Sequence, residues 1–94
     1  MTQPTQLTLL TQLDCGYCEH AKAVLGRLSA EFEFTTIEVD LTSDVGRELA
    51  IEHAVLFAPG LLINGEMFGH GRLSERKLRK TLSVRKARTP SAKD

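Results

Sequence analysis

The sequence predicts an α/β domain in which helices flank a mixed four-stranded β-sheet, in the order β-α-β-α-β-β-α. The chain begins with a strand, a helix and a second strand, and such a unit needs a crossover, nearly always right-handed, that makes its strands parallel. Further on, Asn64-Gly65 separates two short apolar runs, which is a strong signal for an antiparallel hairpin. The length of 94 residues fits one compact domain and leaves no room for a second core.

The first strand and first helix meet at a pair of cysteines. Residues 6–11 form a short apolar, Thr-rich run that stops at Asp14-Cys15-Gly16, which is typical of a buried strand entering a turn. Apolar side chains then recur with helical spacing and predict one buried helix face, made of Cys18, Ala21, Val24, Leu25 and Leu28.

The second strand and second helix are predicted over residues 35–53. Residues 35–41 alternate between apolar and polar side chains, as a half-buried strand does. The apolar face of that strand carries Ile37, Val39 and Leu41. Residues 42–44 offer capping side chains for a helix that runs to about residue 53. Val45 and Leu49 lie one helical step apart and form its predicted inner face.

The hairpin follows the segment that contains Pro59. Residues 61–63 lead into the Asn64-Gly65 turn, and residues 66–68 return as the partner strand. Glycines at 69 and 71 are expected to break that strand.

The last helix is predicted to begin at Ser74 or just before it. Its inward residues are Leu73, Leu78 and Leu82, and its outward residues are Arg76, Lys77, Arg79 and Lys80. Residues 83–94 contain Pro90 and no apolar pattern, so we expect a basic flexible tail there and a domain over residues 1–82.

The composition is that of a folded protein, with 41% hydrophobic and 26% charged residues. No stretch reaches the roughly 20 apolar residues of a membrane span, and residues 1–6 lack the pattern of a signal peptide. We therefore expect a cytoplasmic monomer with no membrane partner.

Charge divides the chain into two parts. Residues 1–71 carry ten acidic and three basic side chains, whereas residues 72–94 carry nine basic and two acidic ones. A basic end can bind nucleic acid, but aromatic residues are absent after Phe68 and no nucleic-acid motif is present. We predict a solvated helix face and no nucleic-acid partner, with docking onto an acidic reductase or client as the alternative.

The only two cysteines, Cys15 and Cys18, lie three positions apart at the end of a strand and the start of a helix. A bridge across so short a loop stabilises a fold little, whereas a Cys-x-x-Cys pair within a βαβ unit is typical of thiol redox chemistry. A zinc or iron–sulfur site is the alternative, and it would need His20, His53 or His70 as further ligands. A protein that senses redox state without turning over is a second alternative.

These motifs together resemble the glutaredoxin and thioredoxin superfamily over residues 6–82, and most of all its short glutaredoxin-like members. Cys15 and Cys18 stand where that family has its nucleophilic and resolving cysteines, and Pro59 stands where it has a cis-proline. Gly69, His70 and Gly71 are similar to the glycine pair that lines the substrate groove of glutaredoxins.

The resemblance implies a thioredoxin-like fold and a thiol–disulfide oxidoreductase that reduces disulfides of proteins or small thiols. It implies no resident cofactor or metal, with glutathione or a reductase as partner. Besides Pro59 and residues 69–71, the expected substrate-binding residues are Tyr17 and Ala58.

The chain departs from the family at positions that hold glutathione. The lysine often found upstream of the cysteines is missing, and Arg72 replaces the acidic residue that follows the glycine pair. The sequence therefore leaves open whether glutathione or a protein reductase supplies the electrons. Asp14, directly before the pair, is expected to disfavour the Cys15 thiolate.

Overall fold

The computed structural model describes residues 5–88, which form four strands and three helices in the predicted order. The elements are β1 (Thr5–Thr11), α1 (Gly16–Leu28), β2 (Phe34–Asp40), α2 (Asp44–His53), β3 (Gly60–Ile63), β4 (Glu66–His70) and α3 (Glu75–Arg88). None of the helices in this part of the chain is long and apolar enough to cross a lipid bilayer.

The strands form one mixed sheet in the order β2-β1-β3-β4. β1 pairs with β2 in parallel and with β3 antiparallel, and β3 pairs with β4 antiparallel. The register places Thr11 opposite Asp40, Leu10 opposite Gly60, and Gly60 opposite His70. Because of these pairings, the ends of β1, β2 and β4 and the start of β3 lie along one edge, which we call the active edge.

The main core lies between one face of the sheet and the helices α1 and α3. Its buried side chains come from β1, β3, α1, α3 and the loop before α3: Leu7, Leu9, Ala21, Val24, Leu25, Leu28, Leu61, Ile63, Leu73, Leu78 and Leu82. The predicted inner faces of α1 and α3 are thereby confirmed. On the opposite face of the sheet, the Val55 side chain lies against Gly60, next to Leu10.

The second strand begins one residue earlier than predicted, and its predicted apolar face is confirmed in part. Phe34 packs against the main core together with Phe32, whereas Ile37 is 45% exposed. The alternation over residues 35–41 is real, but β2 is an edge strand whose second face is only partly covered. Val39 and Leu41 are half-buried, whereas the polar residues that alternate with them are exposed, so the pattern indicated the more covered face and only Ile37 departs from it.

The second helix has the predicted cap, and its predicted inner face is confirmed only at Leu49. The Ser43 hydroxyl accepts a hydrogen bond from the Gly46 N–H at 3.0 Å, which satisfies a free donor of the first turn. Val45 is 59% exposed, and Gly46 is the buried residue of the helix. Leu49, the other residue of the predicted inner face, is half-buried, and the helix also comes close to the backbone at the end of β2 at Gly46.

The ends of β4 and α3 also differ from prediction. β4 continues through Gly69 and His70. A register shift between Leu61 and Leu62 places one extra residue in β4, and beyond this bulge the strand pairs with β3 again. α3 continues to Arg88, so residues 83–88 of the predicted tail are helical. Residues 89–94 of that tail lie outside the described residues.

Two arginines tie α3 to α1 and to the loop after it. Arg27 donates to Glu75 at 2.7 Å and 3.2 Å, and Arg79 donates to Glu31 at 2.7 Å and 3.0 Å. The hydrogen bonds from Arg79 lower the pKa of Glu31, and those from Arg27 lower the pKa of Glu75. α3 is therefore held by ion pairs at its surface as well as by its leucines.

Candidate active site

Cys15 and Cys18 form a disulfide at the N-terminus of α1, with a Cα–Cα distance of 5.2 Å. Cys15 is the N-cap residue, in an extended conformation with φ −113° and ψ 103°. Its Sγ accepts a hydrogen bond from the Cys18 N–H at 3.1 Å, and its carbonyl oxygen accepts from the Cys18 and Glu19 N–H groups at 3.2 Å. The sulfur of Cys15 thus occupies the position of a capping oxygen.

The two sulfurs differ in access to solvent. Cys18 is 1% exposed and belongs to the buried face of α1, whereas Cys15 is half-buried. The N–H groups and the positive end of the helix dipole at this terminus favour negative charge on Cys15. An accessible sulfur at the helix end and a shielded one a turn further in are the arrangement that thiol–disulfide exchange needs.

The residues on either side of Cys15 have distinct backbone roles. Asp14 has a φ of 54°, in the left-handed region that Asp tolerates better than most residues. Gly16 is the first residue of α1, and a Cβ built there would meet nothing within 4 Å. Tyr17 follows with its side chain 56% exposed beside the disulfide.

Pro59 joins the start of β3 to the loop after β4. The Ala58–Pro59 peptide bond is cis, as the resemblance implied, and Ala58 is 8% exposed. The Pro59 carbonyl oxygen accepts a hydrogen bond from the Gly71 N–H at 2.8 Å. Gly71 has a φ of 83°, which favours glycine, and Phe57 packs near it with its ring 5.4 Å from that of His70.

A groove of about 140 Å³ runs along this side of the active edge. We call it the basic groove, because Arg72 and Lys77 line it together with Pro59, Gly69, His70 and Gly71. The structure therefore brings four of the predicted substrate-binding residues together, namely Pro59 and residues 69–71. The sequence did not single out Lys77 for this groove, because its place depends on how α3 packs beside β4.

Cys15 itself lines a second, more open depression on the other side of the active edge, which we call the acidic cleft. Its charged residues are Asp14, Glu19, Lys22 and Asp40. The Lys22 ammonium lies 3.3 Å from Glu19 and 3.5 Å from Glu38, and its hydrogen bond to Glu19 raises its pKa. The disulfide thus lies between an acidic and a basic surface.

The histidines considered as metal ligands lie on three different elements: His20 on α1, His53 on α2 and His70 on β4. Within residues 5–88, no group of three or more His, Cys, Asp or Glu side chains is placed to hold a metal ion. Nδ1 of His20 is buried and has no hydrogen-bond partner among the described residues.

Solved structures share this fold at low sequence identity. A mutant thioredoxin from Halobacterium salinarum NRC-1 has a TM-score of 0.67 and 21% identity, over 87% of this chain and 74% of that one. The N-terminal domain of alkylhydroperoxide reductase AhpF from Enterococcus faecalis has a TM-score of 0.68 and 21% identity, over 86% of this chain and 39% of that one. A thioredoxin-like protein from Clostridium perfringens has a TM-score of 0.68 and 14% identity, over 100% of this chain and 80% of that one.

The likeness to these structures shows a thioredoxin-like fold. No curated protein matches the sequence significantly. The profile of the Glutaredoxin-like domain (DUF836) matches residues 6–83, which is most of the chain and includes both cysteines and Pro59. The protein therefore belongs to the Glutaredoxin-like domain family, as a small thioredoxin-fold protein with a disulfide-forming cysteine pair.

Proposed function

We propose that this protein is a thiol–disulfide oxidoreductase that reduces disulfides of proteins or small molecules through Cys15 and Cys18. The observation that carries the proposal is the Cys15–Cys18 disulfide at the N-terminus of α1, with one accessible and one buried sulfur. A structural bridge would gain little from a loop this short, and it would not need a partly accessible cysteine at a helix end.

The reaction takes place in two exchange steps. The Cys15 thiolate attacks one sulfur of the client disulfide, forms a mixed disulfide and releases the other client sulfur as a thiolate, which takes up a proton. The Cys18 thiol then loses its proton and attacks the Cys15 sulfur, which releases the second client thiol. Two electrons pass to the client, and the protein is left in the disulfide form seen in the structure.

Residues around the disulfide bind the client in this proposal. The Ala58 backbone, directly before Pro59 of the groove, pairs with an extended peptide beside Cys15. The exposed Tyr17 ring forms one wall for that peptide, and residues 69–71 form the other. In this proposal the site needs no metal or resident cofactor. The protein works in the cytoplasm, where glutathione and thioredoxin keep thiols reduced.

The electron source is the decisive measurement for this function. Reduction of a model disulfide is followed with glutathione plus glutathione reductase and, separately, with thioredoxin reductase, each with its nicotinamide cofactor. Turnover with either source supports the proposal and identifies the reductant as glutathione or a protein. If neither source sustains turnover although Cys15–Cys18 is reduced and reoxidised, the protein is not a reductase of this kind, and a redox-sensing role takes its place.

Two cysteine variants assign the steps. Cys15→Ser should abolish turnover, because no other described sulfur is accessible at the helix end. Cys18→Ser should retain the first step and accumulate a mixed disulfide with the client, which mass spectrometry detects. Thr42→Ser, a conservative change outside the pair, is the matched control. A Cys15→Ser protein that still turns over would contradict the assignment.

A further inference from the structure

We propose that the client of this site is an extended peptide that carries charges of opposite sign on the two sides of its reactive cysteine. This inference rests on the proposed function and names the substrate class for it. A basic client residue lies over the acidic cleft, and an acidic one lies over the basic groove.

The order of the strands produces this arrangement. Along the active edge come the end of β2 at Asp40, the end of β1 before Cys15, the start of β3 at Gly60, and the end of β4 at His70. The acidic residues therefore lie beside the outer strand on one side of the disulfide. The basic residues lie beyond the outer strand on the other side.

Carboxylates on the acidic side are available to a client. Asp14 and Asp40 are exposed, and neither forms an ion pair with another residue of the described chain. Hydrogen bonds from the Thr42 hydroxyl and N–H lower the pKa of Asp40, so it is charged at neutral pH. Among the described residues, the cation that lines this cleft is Lys22, and it is already engaged by two glutamates.

The cations on the basic side are likewise available to a client, because no carboxylate of the described residues engages them. Arg72 and Lys77 line the basic groove, and within residues 5–88 neither forms an ion pair. Arg27 and Arg79, by contrast, are occupied by the glutamates that fix α3. Two free cations thus face the groove on one side of the disulfide, against two free carboxylates on the other.

The separation of the two surfaces fits a short extended segment. Neighbouring strands lie about 4.8 Å apart, so three such spacings separate the two outer strands by about 14 Å. An extended chain advances about 3.3 Å per residue and crosses this distance in about four residues. Cys15 follows β1, which lies one spacing from β2 and two spacings from β4. With the client cysteine over Cys15, the basic charge therefore belongs about two residues to one side of it and the acidic charge about three residues to the other side.

The test uses three symmetrical peptide disulfides of equal length and zero net charge. One has Lys two residues before its Cys and Glu three residues after it. The second has the reverse order, with Glu three residues before its Cys and Lys two residues after it, and the third has Ser in place of both charged residues of the first. Single-turnover reduction by the reduced protein is followed by chromatography of quenched samples. Each rate is divided by the rate at which dithiothreitol reduces the same peptide, which corrects for the reactivity of the peptide disulfide itself.

We expect one charged peptide to react about tenfold faster than its exchanged partner at low salt, since exchange turns two exposed attractions into two repulsions. The faster order also gives the direction of the bound peptide. The ratio should fall toward one at high salt, where charges on the surface are screened. Equal rates for the two charged peptides at low salt would overturn the proposal.

Charge-reversal variants locate the effect. Arg72→Glu combined with Lys77→Glu should reduce the ratio to about one or invert it. Arg76→Glu combined with Lys80→Glu makes the same charge change on exposed residues of α3 that do not line the groove, and it should retain the preference. A ratio that survives the first pair, or is lost with the second pair to the same extent, would overturn the proposal. Failure to reduce all three peptides would instead refute the proposed function.

Discussion

Replacing Gly46 with alanine should destabilise the domain, although alanine is normally the better residue inside a helix. Gly46 lies in the first turn of α2, where the helix meets the end of β2. A Cβ built on Gly46 would overlap the Asp40 carbonyl oxygen, and it would lie 2.8 Å from the Asp40 carbonyl carbon and 3.0 Å from the Leu41 Cα. All three atoms belong to the backbone and cannot rotate away, so α2 must move off the strand.

The size of the effect follows from two opposing contributions. Overpacking costs typically 1–3 kcal/mol, and replacing glycine in a helix returns about 0.5–1 kcal/mol. The net loss should be about 1–2 kcal/mol, which lowers Tm by roughly 4–16 °C in a domain of this size.

Denaturant and thermal unfolding of the oxidised protein, followed by circular dichroism, measure this loss. Gly26→Ala is the matched control, because a Cβ on this exposed glycine of α1 meets nothing within 4 Å. It should gain about 0.5–1 kcal/mol. The steric argument fails if Gly46→Ala is as stable as the wild type.

Three further predictions concern charge and backbone. Arg79→Met should make the free energy of unfolding less dependent on pH between about pH 7 and pH 3. The reason is that Glu31 and Glu75, its two partners, have lowered pKa values in the folded protein. The stability that they add is present above the pKa of an unfolded glutamate and is lost as the pH falls through their pKa in the folded protein. Identical pH profiles of the variant and the wild type would contradict this. Asp14→Asn keeps a side chain that tolerates a φ of 54° but removes the carboxylate, so the Cys15 thiol should have a lower pKa in the reduced protein. Thiolate absorbance measures it, Asp44→Asn is the control, and an unchanged or higher pKa would refute the idea. Gly71→Ala should lower stability by about 1–2 kcal/mol because of its φ of 83°, and a Tm equal to that of the wild type would count against this.

Much of the fold was predictable because the strongest patterns come from elements that pack on one side only. The apolar stripe of α1 and the Asn64-Gly65 turn gave the correct helix and hairpin, and the crossover rule gave the parallel pairing of β1 and β2. The exposure of Ile37 could not be predicted, since it depends on β2 being at the edge of the sheet. The close approach of Gly46 to Asp40 is set by tertiary packing, which no local pattern records.

The candidate site divides in a similar way. The placement of Cys15 at the helix end, the burial of Cys18 and the cis bond before Pro59 agree with what the motifs and the resemblance implied. The roles of these residues in exchange stay predictions. The sequence did not predict that Arg72 and Lys77 line the same groove. Arg72 follows a strand and Lys77 lies on α3, and only the assembled fold brings them together.

The open space beside Gly16 separates the chemistry of the cysteine pair from the stability of the scaffold. As the first residue of α1, this position suits proline, whose missing N–H removes no helical hydrogen bond and whose fixed φ matches the helix. A side chain can therefore be added between the two sulfurs without repacking the core. The residue between Cys15 and Tyr17 can thus be changed while the architecture that holds the two cysteines is kept.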